Sequence, residues 1–104
     1  VPVRHRIVFA PEAQDDLEQL YLFIAERSGE ARAMAYVDRI EAWCRSLATF
    51  PERGQRRDDL LPGLRVAGFE RRVSIAFHIA PGVVTLDRIL YGGRDLDSLI
   101  ERSD

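Results

Sequence analysis

Residues 71–91, "RRVSIAFHIAPGVVTLDRILY", decide the fold. Val73, Ile75, Phe77 and Ile79 alternate with Arg72, Ser74, Ala76 and His78, and this period of two marks a half-buried strand with one polar face. Ala80-Pro81-Gly82 turns the chain back, and Val83–Tyr91 follows as a second strand. Its apolar phase is Val84 and Leu86 early but Ile89 and Tyr91 late. Side chains on a strand alternate strictly, so the slip predicts a bulge or burial on both faces.

Working outward, Leu64–Phe69 reads as a further strand weakened by Gly68, and Pro62-Gly63 suits the centre of a type II turn before it. Residues 50–66, "FPERGQRRDDLLPGLRV", form a connector unusually rich in arginine. Arg65, at its end, is expected to project from the exposed side of the sheet or to brace the loop through Asp58 or Asp59. Earlier still the period becomes helical. Pro11 fits a first helical turn, Glu12, Asp15 and Asp16 suit the positive end of the helix dipole, and Ala13, Leu17, Leu20 and Ile24 share one stripe. Leu22 falls on the opposite side. That helix should stop near Ser28-Gly29. A second, from about Glu30, buries Ala33, Val37, Ile40, Cys44 and Leu47, flanked by Tyr36, Trp43 and Phe50, until Pro51 ends it.

Val3, His5, Ile7 and Phe9 alternate with Arg4 and Arg6 as a first strand, and Leu96, Leu99 and Ile100 suggest a short C-terminal helix. The order is β-α-α-β-β-β. This predicts an α+β architecture, with a helical hairpin packed on a small, mainly antiparallel sheet. At 104 residues and 46% hydrophobic content, residues 1–104 should make one domain with one core. No apolar run approaches the roughly 20 residues of a membrane span. The single cysteine, Cys44, agrees with a reducing compartment, so the expected location is cytoplasmic, away from membranes.

Net charge is −2, which is unusual for a protein whose main task is gripping nucleic acid. Residues 11–50 set Arg27, Arg32, Arg39 and Arg45 against eight acids, whereas residues 53–72 set six arginines against Asp58, Asp59 and Glu70. Every basic residue is arginine, which suits planar recognition of phosphate or carboxylate but also follows from codon bias.

Catalytic constellations are thin. His5 and His78 lie in different strands without partners at ligand spacing, so neither a metal nor another cofactor is expected. Cys44 falls on a buried stripe, as an inert thiol does. Gly92-Gly93 lacks the flanks of a phosphate loop, and the adjacent pairs Asp15-Asp16 and Asp58-Asp59 read as solvated faces. There remain Arg65, Arg71, Arg72, Arg88 and Arg94, with Tyr91. Such a set has the chemistry of a metal-free ribonuclease, and equally that of arginines coating a sheet or pairing with Glu70 and Asp87.

The run Leu47, Phe50-Pro51, Gly54, Asp59-Leu60 and Gly63-Leu64-Arg65, then Val73-Ser74-Ile75-Ala76-Phe77 and Ile89-Leu90-Tyr91-Gly92-Gly93-Arg94-Asp95, resembles the ParE/RelE superfamily of toxins from type II toxin-antitoxin systems. The last segment looks like the ParE branch, with Tyr91 where that branch often has histidine. The resemblance implies a non-enzymatic toxin that inhibits DNA gyrase by binding it and is neutralised by a ParD-like antitoxin, which alone contacts operator DNA. Target contacts are expected at Arg65, Arg72, Tyr91, Arg94 and Asp95, and antitoxin contacts at Arg65 and at Leu22, the latter because it lies off the apolar stripe of its helix. Two alternatives stand beside this reading. One is a ribosome-dependent mRNA endonuclease of RelE type, in which Arg72 and Arg94 would touch phosphate, and the other is a non-toxic co-repressor bound to antitoxin.

Overall fold

The computed structural model describes residues 4–92. Strand β1 (Arg6–Phe9) leads into α1 (Pro11–Ser28), and a single glycine separates it from α2 (Glu30–Ser46). Then follow β2 (Gln55–Arg56), β3 (Leu64–Phe69), β4 (Val73–Ala80) and β5 (Val83–Tyr91). The helical hairpin packs on a five-stranded sheet of order β1-β5-β4-β3-β2, in which β1 runs parallel to β5 and every other pair is antiparallel. The α+β arrangement is the one the sequence implies.

Pro11 starts α1 where a missing N–H costs nothing. Gly29 ends it at φ 93°, a backbone state that β-carbons disfavour, and its N–H reaches the Ala25 carbonyl. The same residue's carbonyl accepts the Ala33 N–H, the first bond of α2. One residue therefore closes one helix and opens the next. Ala13, Leu17 and Leu20 of α1 meet Val37, Ile40 and Cys44 of α2 over Ile75, Phe77, Val84 and Leu86 of the sheet. Trp43 meets the Phe77 ring edge-on. Burial pushes the Cys44 thiol up to about 12, so it packs as a small hydrophobe.

The slip in β5 is a bulge. Ala76 pairs with Arg88 and Phe77 with Leu86, leaving Asp87 unmatched. The extra residue brings Ile89 and Tyr91 onto the core side that Val84 and Leu86 occupy before it.

Three expectations are corrected, and one short strand was not foreseen. The second helix ends at Ser46, and turns over residues 47–49 carry the chain to an exposed Phe50 before Pro51 is reached. The two-residue β2 was not legible, because its pairing with Arg65 and Val66 comes from β3 and not from its own pattern. The first strand starts at Arg6, with Val3 outside the described residues. The expected C-terminal helix at Leu96, Leu99 and Ile100 also lies outside them. Lastly, Asp16 is no part of a solvated face, and Arg88 neither coats the sheet nor pairs with Asp87. Arg88 donates through Nε and Nη2 to the two Asp16 oxygens at 2.7 and 2.9 Å, and the Ile89 N–H donates to the same carboxylate at 2.8 Å. Both side chains are more than nine-tenths buried.

The position explains the interaction. β1 stops pairing at Phe9 opposite Leu86, with Ala10 N–H still reaching the Leu86 carbonyl, so the rest of β5 has no strand on that edge. The Asp16 carboxylate stands in for the missing strand there by accepting the Ile89 N–H.

Gly54 shows a second tight fit. It has φ 73°, and a β-carbon there would run into the Val66 carbonyl.

Removing one partner of a buried ion pair strands the other charge, so Asp16→Ala should cost about 3–5 kcal/mol in urea unfolding, whereas Asp16→Leu with Arg88→Met should lose far less. Gly54→Ala should cost about 1–3 kcal/mol by the same measurement, since it adds backbone strain to a steric collision.

Candidate functional site

Along α1, Asp16, Leu20, Phe23 and Arg27 recur at helical spacing on the side facing the end of β5. Asp16 fixes the helix at Ile89, and two turns later Phe23 reaches Tyr91, their ring centroids 5.7 Å apart. Tyr91 also meets Tyr36 of α2 edge-on at 6.3 Å, and Tyr36 meets Phe69 of β3 at 6.1 Å. Four elements thus contribute to one aromatic row.

Arginines border the row. A groove of about 420 Å³ opens between the helical hairpin and the sheet, walled by Phe23, Tyr36 and Tyr91 with Arg27, Arg32, Arg39 and Arg72, and no acid among the described residues lines it. The Arg27 guanidinium lies 3.8 Å from the Phe23 ring centre and donates to the Phe23 carbonyl. Arg39 lies 5.1 Å from the Tyr36 ring and holds Glu70 in a bidentate pair at 3.0 and 3.1 Å. This hydrogen bond from Arg39 holds the Glu70 carboxyl below its usual range. Glu70 and Arg71 make the β3–β4 turn at φ 47° and 64°, strained for residues with side chains, so the Arg39 bridge ties the turn to α2. Arg72 follows. Its carbonyl accepts the Gly92 N–H at 2.8 Å, binding the exit of β5 to the turn.

Tyr36 is unusual in this setting. Its hydroxyl is buried without a hydrogen-bond partner among the described residues. Desolvation raises its pKa first and Glu70 adds to that, so at neutral pH it is a phenol with a proton to donate.

Of the residues expected from sequence to meet a target, Arg72 and Tyr91 come together in this groove. Arg94 and Asp95 lie outside the described residues. Arg65 lies elsewhere, in register with Phe77, and donates to the Arg53 carbonyl at 3.0 Å. It does brace the loop, but not through Asp58 or Asp59. Asp58 accepts from the Gly63 N–H and pairs with Arg56, while Asp59 pairs with Arg57. The Gly63 N–H is the main cause that lowers the Asp58 pKa. The arginines of the connector therefore serve largely its own folding, which seats Leu60 with Leu64 and Ala76 on a second small core.

Leu22 is 51% exposed, on a neighbouring surface with Gln19, Phe23 and Glu26 beside Tyr91. His78 lies outside the groove, on Asp87 at 2.8 Å. Sequence reading missed Arg27, Arg32, Tyr36 and Arg39. The last three stand at i, i+4 and i+7, a basic and aromatic stripe that was legible as such on α2.

Comparison with known proteins adds context. The sequence model of a family described as "ParE toxin of type II toxin-antitoxin system, parDE" matches residues 7–96. A curated relative, Toxin ParE3 of Caulobacter vibrioides, is 35% identical over 60 residues, which are 58% of this chain and 60% of that protein. The chain thus spans about 60% of the length of the curated relative it matches. A solved structure described as the chromosomal ParDE TA system from P. aeruginosa has the same fold, with a TM-score of 0.75 at 22% identity over 86% of this chain and 97% of that one.

An unpartnered buried hydroxyl costs about 1–3 kcal/mol, so Tyr36→Phe should leave the free protein at least as stable as the parent, by thermal melting. A drop of more than about 1 kcal/mol would mean that the hydroxyl has a partner.

Proposed function

The chain belongs to the ParE toxin family of type II toxin-antitoxin systems, and from that premise we propose that it arrests growth by binding DNA gyrase in the cytoplasm and is neutralised by a ParD-like antitoxin. Operator DNA would be met only through the antitoxin. The observation that carries the binding reading is the composition of the groove, where the described residues supply arginines and tyrosines but no histidine, cysteine or acid to take up a proton near neutral pH. Tyr36 is held protonated, which makes it a donor and not a base. Phosphodiester cleavage needs a base to activate the attacking hydroxyl, whereas recognition needs only donors and surface. This supports inhibition by binding over strand cleavage.

Target contacts are assigned to Arg72 and Tyr91, continuing to Arg94 and Asp95. Arg72 is exposed, and Tyr91 presents part of its ring beside it. The antitoxin is assigned to the adjacent surface around Leu22, where exposed Leu22 and Phe23 offer apolar contact. Arg65 is the less suited of the two antitoxin residues, because its guanidinium already serves the Arg53 carbonyl.

Purified full-length protein should inhibit gyrase supercoiling and leave messenger RNA intact on ribosomes. Arg72→Ala should raise the inhibitory concentration about tenfold or more, the effect of losing one charge-assisted hydrogen bond. Leu22→Asp should weaken antitoxin binding in calorimetry without changing supercoiling inhibition. Ribosome-dependent cleavage with supercoiling untouched would contradict the assignment.

A further inference from the structure

The groove also carries an electrostatic signature that target binding does not use up. Arg56, Arg57 and Arg39 each hold a carboxylate, but Arg32 and Arg72, both exposed, hold none among the described residues. Among the described residues Arg27 is engaged with Phe23 alone. Near them stands the Tyr36 hydroxyl, buried and without a hydrogen-bond partner among the described residues. Arg27, Arg32 and Arg72 thus line one groove together with Tyr36, and among the described residues no carboxylate pairs with any of the three.

We propose that this groove is the docking site for a carboxylate-rich peptide segment of a partner protein, with Arg27, Arg32 and Arg72 pairing its acids and Tyr36 donating to one of them. Guanidinium groups match carboxylates in planar, two-point geometry, and a carboxylate oxygen is the acceptor that the phenol lacks. A single strand of nucleic acid fits less well. Such strands are held by bases stacked on open aromatic faces, yet the Phe23 ring already carries Arg27 and the Tyr36 ring carries Arg39. The inference rests on the toxin reading only for what occupancy would block, namely the Arg72 and Tyr91 contacts with the target. Peptide binding is measured on the purified chain alone, so its failure and the failure of gyrase inhibition are separate results.

Fluorescence anisotropy with a labelled oligoglutamate of roughly ten residues, at low ionic strength, tests the proposal. Saturable binding is expected, weakened about threefold by Arg32→Ala or Arg72→Ala and about tenfold by the pair. Arg6→Ala, an exposed arginine outside the groove, should leave the affinity unchanged. Tyr36→Phe should weaken binding while the melting temperature does not fall, a combination that general destabilisation does not produce. Equal binding by parent and double variant would overturn the proposal. So would tighter binding of an oligothymidine of the same length, lost with the same substitutions, which would assign the groove to a nucleic-acid strand.

Discussion

The Asp16 carboxylate is the constraint on which the working end of this molecule depends. A parallel strand must end before its crossover helix begins, and here β1 ends level with Leu86 while β5 continues to Tyr91. An exposed strand edge next to a helix leaves backbone donors with neither strand nor water, an unfavourable arrangement in a protein interior. Asp16 meets this by accepting the Ile89 N–H, and Arg88 then neutralises the buried carboxylate. The arrangement holds α1 along the open edge of β5. Phe23 reaches Tyr91 because Asp16, seven residues earlier, has set the rotation and height of the helix. Without that registration the aromatic row from Phe23 to Phe69 has no fixed geometry.

Charge is used in two different ways at the two ends of the sheet. In the connector before β3, Arg56 and Arg57 are matched by Asp58 and Asp59, and Arg65 is turned back onto the Arg53 carbonyl. Exposed pairs of this kind contribute little to stability, but they define a loop path that glycine at position 54 and the Leu60 anchor then fix. Of the arginines that line the groove, only Arg39 is matched by a carboxylate among the described residues, and that pair secures the strained Glu70-Arg71 turn from which Arg72 emerges. Donors without acceptors are costly when buried and reactive toward ligands when exposed. Arg32, Arg72 and the Tyr36 hydroxyl are of this kind among the described residues.

Local order was legible in the sequence wherever it rests on periodicity. The alternation of Val73 to Ile79, the helical stripe of Ala13, Leu17 and Leu20, and the phase slip at Asp87 each follow from neighbours along the chain. What escaped was long-range. Asp16 and Arg88 are 72 residues apart, and although Asp16 stands three residues after Ala13 and four before Leu20, on the buried stripe, only the packed position of α1 gives its carboxylate a partner. The groove was half visible. Arg72 and Tyr91 stood out by residue type and by resemblance, while Arg27 and Arg32 were not singled out and Tyr36 read as a flank of the buried stripe of α2, although Arg32, Tyr36 and Arg39 share one helical face. The pairing of β2 was invisible for the same reason, being imposed by β3.

Position 72 offers the most direct test of the central claim, that a ParE-family chain uses the arginine and aromatic end of its sheet to engage gyrase. A photo-crosslinking amino acid placed there, in cells expressing the full chain without antitoxin, should capture a gyrase subunit, and the same probe at position 57 in the connector should not. Capture of ribosomal RNA or ribosomal protein from position 72, with gyrase absent from the products, would contradict the account.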